Sequence, residues 1–527
     1  LEVSFETSKA GLASCRAGEL FLHSAYDPEK EAERFLSNRA ELGRASTFIL
    51  LGPCLDYLTP AIRRLKPRAH IISIQFSPEF RGCEVGHPDS CWYPDDRQEA
   101  GLEAFLERQL DGDRLAGLCI LSWPPAARAF PRESEVASLV LRAILDREAS
   151  STATLKGYGR PWFLNACRSF LLMEKTLLPW QDDAPVVMAA AGPSLEASLA
   201  ALKPFRPRFR LFAVSSALAA CRAAGLEPDL TIATDGGFWS RLHLYPLAER
   251  PGALAAPLVA LPSSGLWQSL PILLIEQGNF PEAELCSFLG PRIRLPSHGT
   301  VSGSALRLAA SLTTGPILAA GLDLASLDLR SHARPHGFDA IGLEGQTCRH
   351  PHETAAYSRE RPLAPERIGE GPWWTSRSLR LYAAALAAEA GKPPLAGRVY
   401  RLNPSAVGLE GMREIGEKDI ADLLAGSVVS GRTVPAGRSV PPHEERRDFL
   451  ESRFAIWRRD LGQAIANLNS GSRFESPRIK ELFRAVDFPD WAAASRALAS
   501  GEDAGVALLS LEREVTEFLD EAERKLL

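Results

Sequence analysis

The sequence predicts an α/β chain with a doubly wound central domain, a small α/β domain ahead of it and an α-helical domain behind it. Three observations carry that expectation. The run Val186-Val187-Met188-Ala189-Ala190-Ala191 ends in Gly192-Pro193-Ser194 and passes into a helical pattern through Leu195, Leu199 and Leu202, as a strand buried on both faces feeding a helix does. Strand and helix patterns then alternate regularly over 184–411, which indicates parallel βαβ units. After residue 444 only helical patterns remain.

Taken in order, strand patterns at 47–52, 70–75 and 118–123, with helical stretches at 29–42 and 99–109, assign 1–130 to the small α/β domain. Residues 131–183 read as linking helices, interrupted by Gly157-Tyr158-Gly159-Arg160-Pro161-Trp162. In the central domain, 184–411, further strands are expected at 212–214, 228–235, 258–261, 272–276, 292–295 and 316–320. The stretch 331–374 has no clear period and reads as a functional loop or lid. Residues 412–527 hold a polar linker at 431–442 and helices at 444–469, 477–486, 491–499 and 504–526.

Composition narrows the function classes. The 527 residues allow roughly two to four domains. A formal charge of −5 gives no basic footprint, so nucleic acid is not expected as a main partner. Nine scattered cysteines without a C-x-x-C pair point to reduced thiols in the cytoplasm. No apolar run reaches the length of a membrane span.

The chemistry-bearing residues gather at predicted strand ends. Gly192, Pro193 and Ser194 follow the first strand, where Gly192 is expected to let a ligand approach and Ser194 to cap the helix. Ser215 follows the second strand, Asp235 and Gly236 the third, and Gly321 and Asp323 a later one. Gly299, Thr300 and Ser302 open a helix. Helix-start amides suit phosphate and a strand-end carboxylate suits a ribose hydroxyl, so these turns read as one nucleotide-sized site; the plainer alternative is ordinary capping turns. A G-x-x-x-x-G-K-[ST] loop and a strand-linked G-x-G-x-x-G are both missing, which argues against a P-loop kinase or an ordinary dehydrogenase. Asp111-Gly112-Asp113 reads as a polar turn. Among His332, His336, His350 and His352, beside Cys348, an acid or base near the nucleotide is favoured over a metal site, and His332 is best placed. No metal ligands are assigned, and a divalent-metal requirement stays open.

His23-Ser24-Ala25-Tyr26-Asp27-Pro28 with Glu31-Ala32 resembles the N-terminal signature of the Maf (motility-associated factor) flagellin glycosyltransferases. In the same order as in that family follow Gly159-Arg160-Pro161-Trp162 with Asn165, Gly192-Pro193-Ser194-Leu195, Pro228-Asp229 with Asp235, Gly299-Thr300-Val301, Gly321-Leu322-Asp323-Leu324-Ala325 and His332. The resemblance spans most of 1–411. It implies transfer of a nonulosonic acid, of pseudaminic or legionaminic type, from a CMP-activated donor to Ser or Thr of flagellin in the bacterial cytoplasm, in support of flagellum assembly and motility. It also implies a Rossmann-like central domain similar to bacterial sialyltransferases, with no cofactor required. By position it carries over Ser194, Ser215, Asp235, Thr300, Ser302, Gly321 and Asp323 as CMP contacts, beside Gly192, Pro193, Gly236 and Gly299 of the same turns. Asp323 and His332 are the catalytic candidates, with Arg330 or Arg334 facing the departing phosphate.

Two segments depart from expectation, the first from the family pattern and the second from the sialyltransferases of similar fold, which carry a catalytic histidine on a lid segment. Leu402-Asn403-Pro404-Ser405-Ala406-Val407-Gly408 keeps only Asn403 and one glycine, and Gly371-Pro372-Trp373-Trp374-Thr375-Ser376 lacks a histidine. The base is therefore left between His332 and another lid residue. The helical C-terminal domain would dock flagellin. Two other readings stand: an ATP-using enzyme like the archaeal hydroxymethylpterin pyrophosphokinases, which resemble the central domain alone, and a non-catalytic flagellin chaperone. Oligomeric state is left open.

Overall fold

The computed structural model describes residues 2–37, 39–94, 101–110, 114–115, 117–260, 264–295, 297–327, 330–351, 365–368, 370–427, 429, 437–469, 477–486, 491 and 505–527. The Asp111–Asp113 turn, His352, residues 431–436 of the expected linker and the helix expected after Trp491 lie outside them. The chain forms two compact units, Leu1–Gly159 with Arg458–Asp520 and Arg160–Trp457 with Glu521–Leu527.

The first unit opens with an antiparallel sheet of β1 (Val3–Thr7), β2 (Ala13–Ala17) and β3 (Leu20–Phe21), which the sequence reading did not foresee. Then come β4 (Thr47–Leu51), β5 (His70–Ile74), β6 (Ser90–Trp92) and β7 (Leu118–Ser122). They make a parallel sheet of order β6-β5-β4-β7. All of β4 is buried, as its unbroken Thr-Phe-Ile-Leu-Leu pattern requires. The chain runs outward from β4 to β6 and returns on the other side to β7, so a crevice opens at the carboxyl end of β4. The protein fills it from within. His23 Nε2 accepts the Leu55 N–H at 3.1 Å, Trp123 Nε1 donates to Leu22 O at 2.7 Å, and the Gln75 amide bonds both the N–H and the C=O of Cys54.

The helix Pro131–Leu172 runs unbroken through 157–162, contrary to the expected interruption. Pro161 costs it a hydrogen bond. Beyond that point Phe163, Ala166, Cys167 and Phe170 are fully buried, and their packing outweighs the local defect.

The second unit is built on eleven strands: β8 (Lys175–Leu177), β9 (Val186–Ala189), β10 (Arg210–Val214), β11 (Leu230–Ile232), β12 (Leu254–Pro257), β13 (Ile272–Glu276), β14 (Ile293–Arg294), β15 (Ile317–Ala320), β19 (Val399–Leu402), β20 (Arg413–Ile415) and β21 (Gly437–Ser439). Their order is β20-β19-β15-β9-β10-β11-β12-β13-β8-β21, with β14 also on β13. All pairs are parallel except β21 with β8. A small antiparallel sheet of β16 (Ser326–Leu327), β17 (Glu366–Arg367) and β18 (Trp373–Thr375) stands apart.

The doubly wound expectation therefore holds, with one strand displaced. β12 occupies 254–257 instead of 258–261, because the Leu258 N–H leaves the ladder to donate to Glu282 Oε1 at 2.8 Å. From β9 the chain steps through β10, β11 and β12 to β13, then returns to place β15 on the other side of β9. The carboxyl ends of β9 and β15 thus flank the switch point, where open α/β sheets bind ligands.

Candidate functional site

At the switch point the turns after β9 and β15 grip each other. Ser194 donates from its backbone N–H to Asp323 Oδ2 at 2.8 Å and from Oγ to Asp323 Oδ1 at 2.7 Å. Gly192 N–H donates to Gly321 O at 2.8 Å. A Cβ on Gly192 would meet Gly321 O at 2.6 Å, and one on Gly321 would meet Ala190 O at 2.6 Å. Both glycines permit this close packing of the two turns. Ser194 does not cap its helix: its backbone is helical, with φ −67° and ψ −11°, where a capping residue is extended, and its Oγ accepts from no amide of the first turn while it donates to Asp323.

Asp323 is 2% exposed. Burial is the largest influence on its carboxyl and raises its pKa, opposed by the Ser194 bonds and by the Arg401 charge. Arg401, fully buried, donates from Nε to Leu322 O at 2.9 Å, to Val407 O, and from Nη2 to Ser405 Oγ at 2.8 Å; Ser405 donates on to Asp323 O at 2.6 Å. The start of helix Leu195–Leu202 is thus already supplied with an anion, the protein's own Asp323. A ribose contact from this carboxylate would require the brace to open. The segment around Ser405, where the family pattern fails, is part of the same brace.

The other site residues present a freer edge. Helix Val301–Leu312 is capped by Thr300, whose Oγ1 accepts the Gly303 N–H at 3.0 Å. The amides of Val301 and Ser302 lie in the first turn, without an intrahelical acceptor. Gly299 has φ +75°, a left-handed conformation that favours glycine, and is exposed. This helix packs on β9, β10 and β15. Its Ser304 Oγ accepts from Gln277 Nε2 at 3.1 Å, beyond the end of β13. Asp235 is exposed and accepts the Gly237 N–H at 2.7 Å, while Ser215 is buried at the end of β10. Asn165 Nδ2 donates to Gly236 O at 3.1 Å and to Val259 O at 3.2 Å, tying the exits of β11 and β12.

An arch of residues 330–339 crosses the β9 exit. Ala333 N–H donates to Ala191 O at 2.8 Å, and Glu196 Oε1 takes both the Arg330 guanidinium, at 3.2 Å, and the Arg334 N–H, at 2.9 Å. Arg334 also pairs with Asp339. Both arginines, expected at the departing phosphate, thus bind carboxylates of the arch and its base. His332 is half-buried, with Nδ1 2.7 Å from Ser331 Oγ. Its ring lies 4.4 Å from that of His336, which lies 4.7 Å from that of His243. Sequence reasoning missed His243, Arg401 and Glu282. Their only sequence signal is polarity within apolar surroundings. Among the described residues no group of three or more His, Cys, Asp or Glu is arranged to hold a metal ion, and no helix is long and apolar enough to cross a membrane.

Comparison with known proteins bears on the fold. Residues 172–328 match the family model of 6-hydroxymethylpterin diphosphokinase MptE-like proteins. A Treponema pallidum (strain Nichols) protein, described as uncharacterized, is 28% identical over 242 residues, which are 46% of this chain and 54% of the relative. The chain thus spans about half the length of that curated relative. The solved structure of a Maf glycosyltransferase from Magnetospirillum magneticum AMB-1 superposes with a TM-score of 0.58 at 12% identity, covering 100% of this chain and 91% of the other. The chain is therefore similar in fold to the Maf glycosyltransferases along its whole length, around a central segment of MptE-like kind.

Proposed function

We propose that this protein is a glycosyltransferase that moves a nonulosonic acid from a CMP-activated donor to Ser or Thr of flagellin in the cytoplasm. The observation that carries the reading is the fold likeness to a Maf glycosyltransferase over the full chain, joined to a polar switch-point edge in the second unit. The donor phosphate is assigned to the start of helix Val301–Leu312, with Gly299, Thr300 and Ser302 around it, because the other helix start is filled by Asp323. Ser215, Asp235 and the 192–194 turn are assigned to the nucleoside. Asp323 is given a positioning role.

In the reaction, the bond from the sugar anomeric carbon to the phosphate oxygen breaks and CMP leaves with the electron pair. The acceptor hydroxyl oxygen bonds to that carbon, and its proton passes to a general base. His332 is the proposed base: with the proton on Nδ1, toward Ser331, its Nε2 holds the lone pair. No resident cofactor enters the reading.

The test is to incubate the protein with CMP-pseudaminic or CMP-legionaminic acid and flagellin and to read intact flagellin mass. A gain of whole nonulosonate residues is expected; unmodified flagellin with both donors would refute the reading. The match of 172–328 to the MptE-like family favours a second reading, a pterin diphosphokinase. Formation of AMP from ATP and 6-hydroxymethylpterin would select it.

A further inference from the structure

His243 is a half-buried imidazole that the proposed chemistry does not use. It sits on the 3-10 segment Phe238–Leu244 that follows β11, and its Nδ1 is buried with no hydrogen-bond partner among the described residues. Its ring meets His336 edge-on at 4.7 Å between centroids and Phe338 edge-on at 4.9 Å. His336 lies 4.4 Å from His332. Between the two contacts, Gly337 is pressed onto His243, where a Cβ would stand 2.5 Å from Nδ1 and 3.0 Å from both Cα and N. Only a residue without a side chain lets the arch come down this far.

We propose that His243 is a positioning residue, the seat on which the 330–339 arch rests, so that His332 is held through His336 at the carboxyl edge of the sheet. This rests on the reading of His332 as general base. Three points favour it. The arch is also anchored on the β9 side, at Ala191 and Glu196, and the His243 contact adds a hold on its β11 side. The contact is one of ring faces and edges, which specify orientation. Burial, reinforced by the neighbouring His332, keeps the His243 ring neutral, with its pKa lowered to about 4, so the seat does not repel the base it supports.

Two variants test the seat. His243→Ala removes the ring, and Gly337→Ala lifts the arch while leaving the ring in place. The readouts are hydrogen exchange of the segment 330–339, CMP affinity by calorimetry, and kcat of transfer to flagellin. Both variants are expected to exchange faster at the Ala333 amide and to lose about 10- to 100-fold in kcat, the loss typical of a displaced catalytic group, with CMP affinity kept. His243→Phe, which restores a ring, is expected to recover both exchange protection and kcat. A melting curve separates local loosening from unfolding; should His243→Ala fail to fold, Gly337→Ala carries the same comparison.

Unchanged exchange in the folded variants would overturn the seat. Faster exchange with unchanged kcat would overturn its hold on His332. A wild-type protein that transfers no sugar, together with faster exchange in the variants, would sink the transferase reading while leaving the seat standing.

Discussion

Asp323 holds Ser194 with both of its carboxylate oxygens, one on the hydroxyl and one on the backbone N–H, across 129 residues of chain. The pair joins the exits of β9 and β15 and occupies the start of helix Leu195–Leu202 with a carboxylate. In the proposed function the donor phosphate therefore goes to the start of helix Val301–Leu312.

Removing this pair should therefore damage the site through its shape. Asp323→Ala is expected to abolish measurable CMP binding, and Ser194→Ala to weaken it. Calorimetry with CMP checks this, and undiminished affinity in Asp323→Ala would refute the assignment.

Glu282 gives a stability prediction. Fully buried, it accepts the Leu258 N–H on Oε1 and the Gln277 N–H on Oε2, both at 2.8 Å, so it clips the exits of β12 and β13 together. Burial raises its carboxyl from 4.5 to about 7, more than the amide bonds lower it. A raised carboxyl pKa means that the folded state holds the proton more tightly than the unfolded one. Glu282 thus withdraws stability as pH rises from 4.5 through about 7. Glu282→Gln should flatten that slope. It should also cost about 1–3 kcal/mol at pH 5, since its amide N–H₂ cannot accept a backbone N–H. Urea midpoints between pH 4.5 and 8 for both proteins provide the measurement.

His23 predicts the opposite slope. Burial lowers its pKa from 6.5 to about 4, and the folded protein keeps it neutral as the acceptor of the Leu55 N–H. Its contribution is present above pH 6.5 and is lost as pH falls toward 4. His23→Ala should cost about 2–4 kcal/mol through a cavity and an orphaned amide, and should remove this part of the acid sensitivity. Thermal unfolding at pH 7.5 and pH 5 measures both effects. Equal losses at the two pH values would show that the ring is not held neutral.

Much of the architecture was legible because the strands β4, β9, β13 and β15 are apolar runs whose burial on both faces leaves no other reading. β19 was not, since it carries Arg401, whose burial depends on the carbonyls of Leu322 and Val407 and on Ser405. The hairpin strands β1 to β3 were missed because most of their residues are exposed and lack an apolar run. At the site, the right turns could be named from Gly, Ser and Asp at strand ends. Their division of labour could not, because spacing does not reveal that Asp323 binds Ser194 or that Gly337 yields to His243. The signature beginning at His23 carried the family resemblance, and its leading residue serves the fold.

That last residue has a consequence for stoichiometry. Among the described residues the chain carries one parallel and one predominantly parallel sheet, each with a switch point of the kind that takes ligands, and in the first the chain has inserted its own imidazole, indole and amide as a permanent tenant. Evicting that tenant would orphan the Leu55 amide and the Leu22 carbonyl in a dry interior. A nucleotide titration should therefore saturate at one equivalent per chain, so the first unit adds to the fold and not to the binding count.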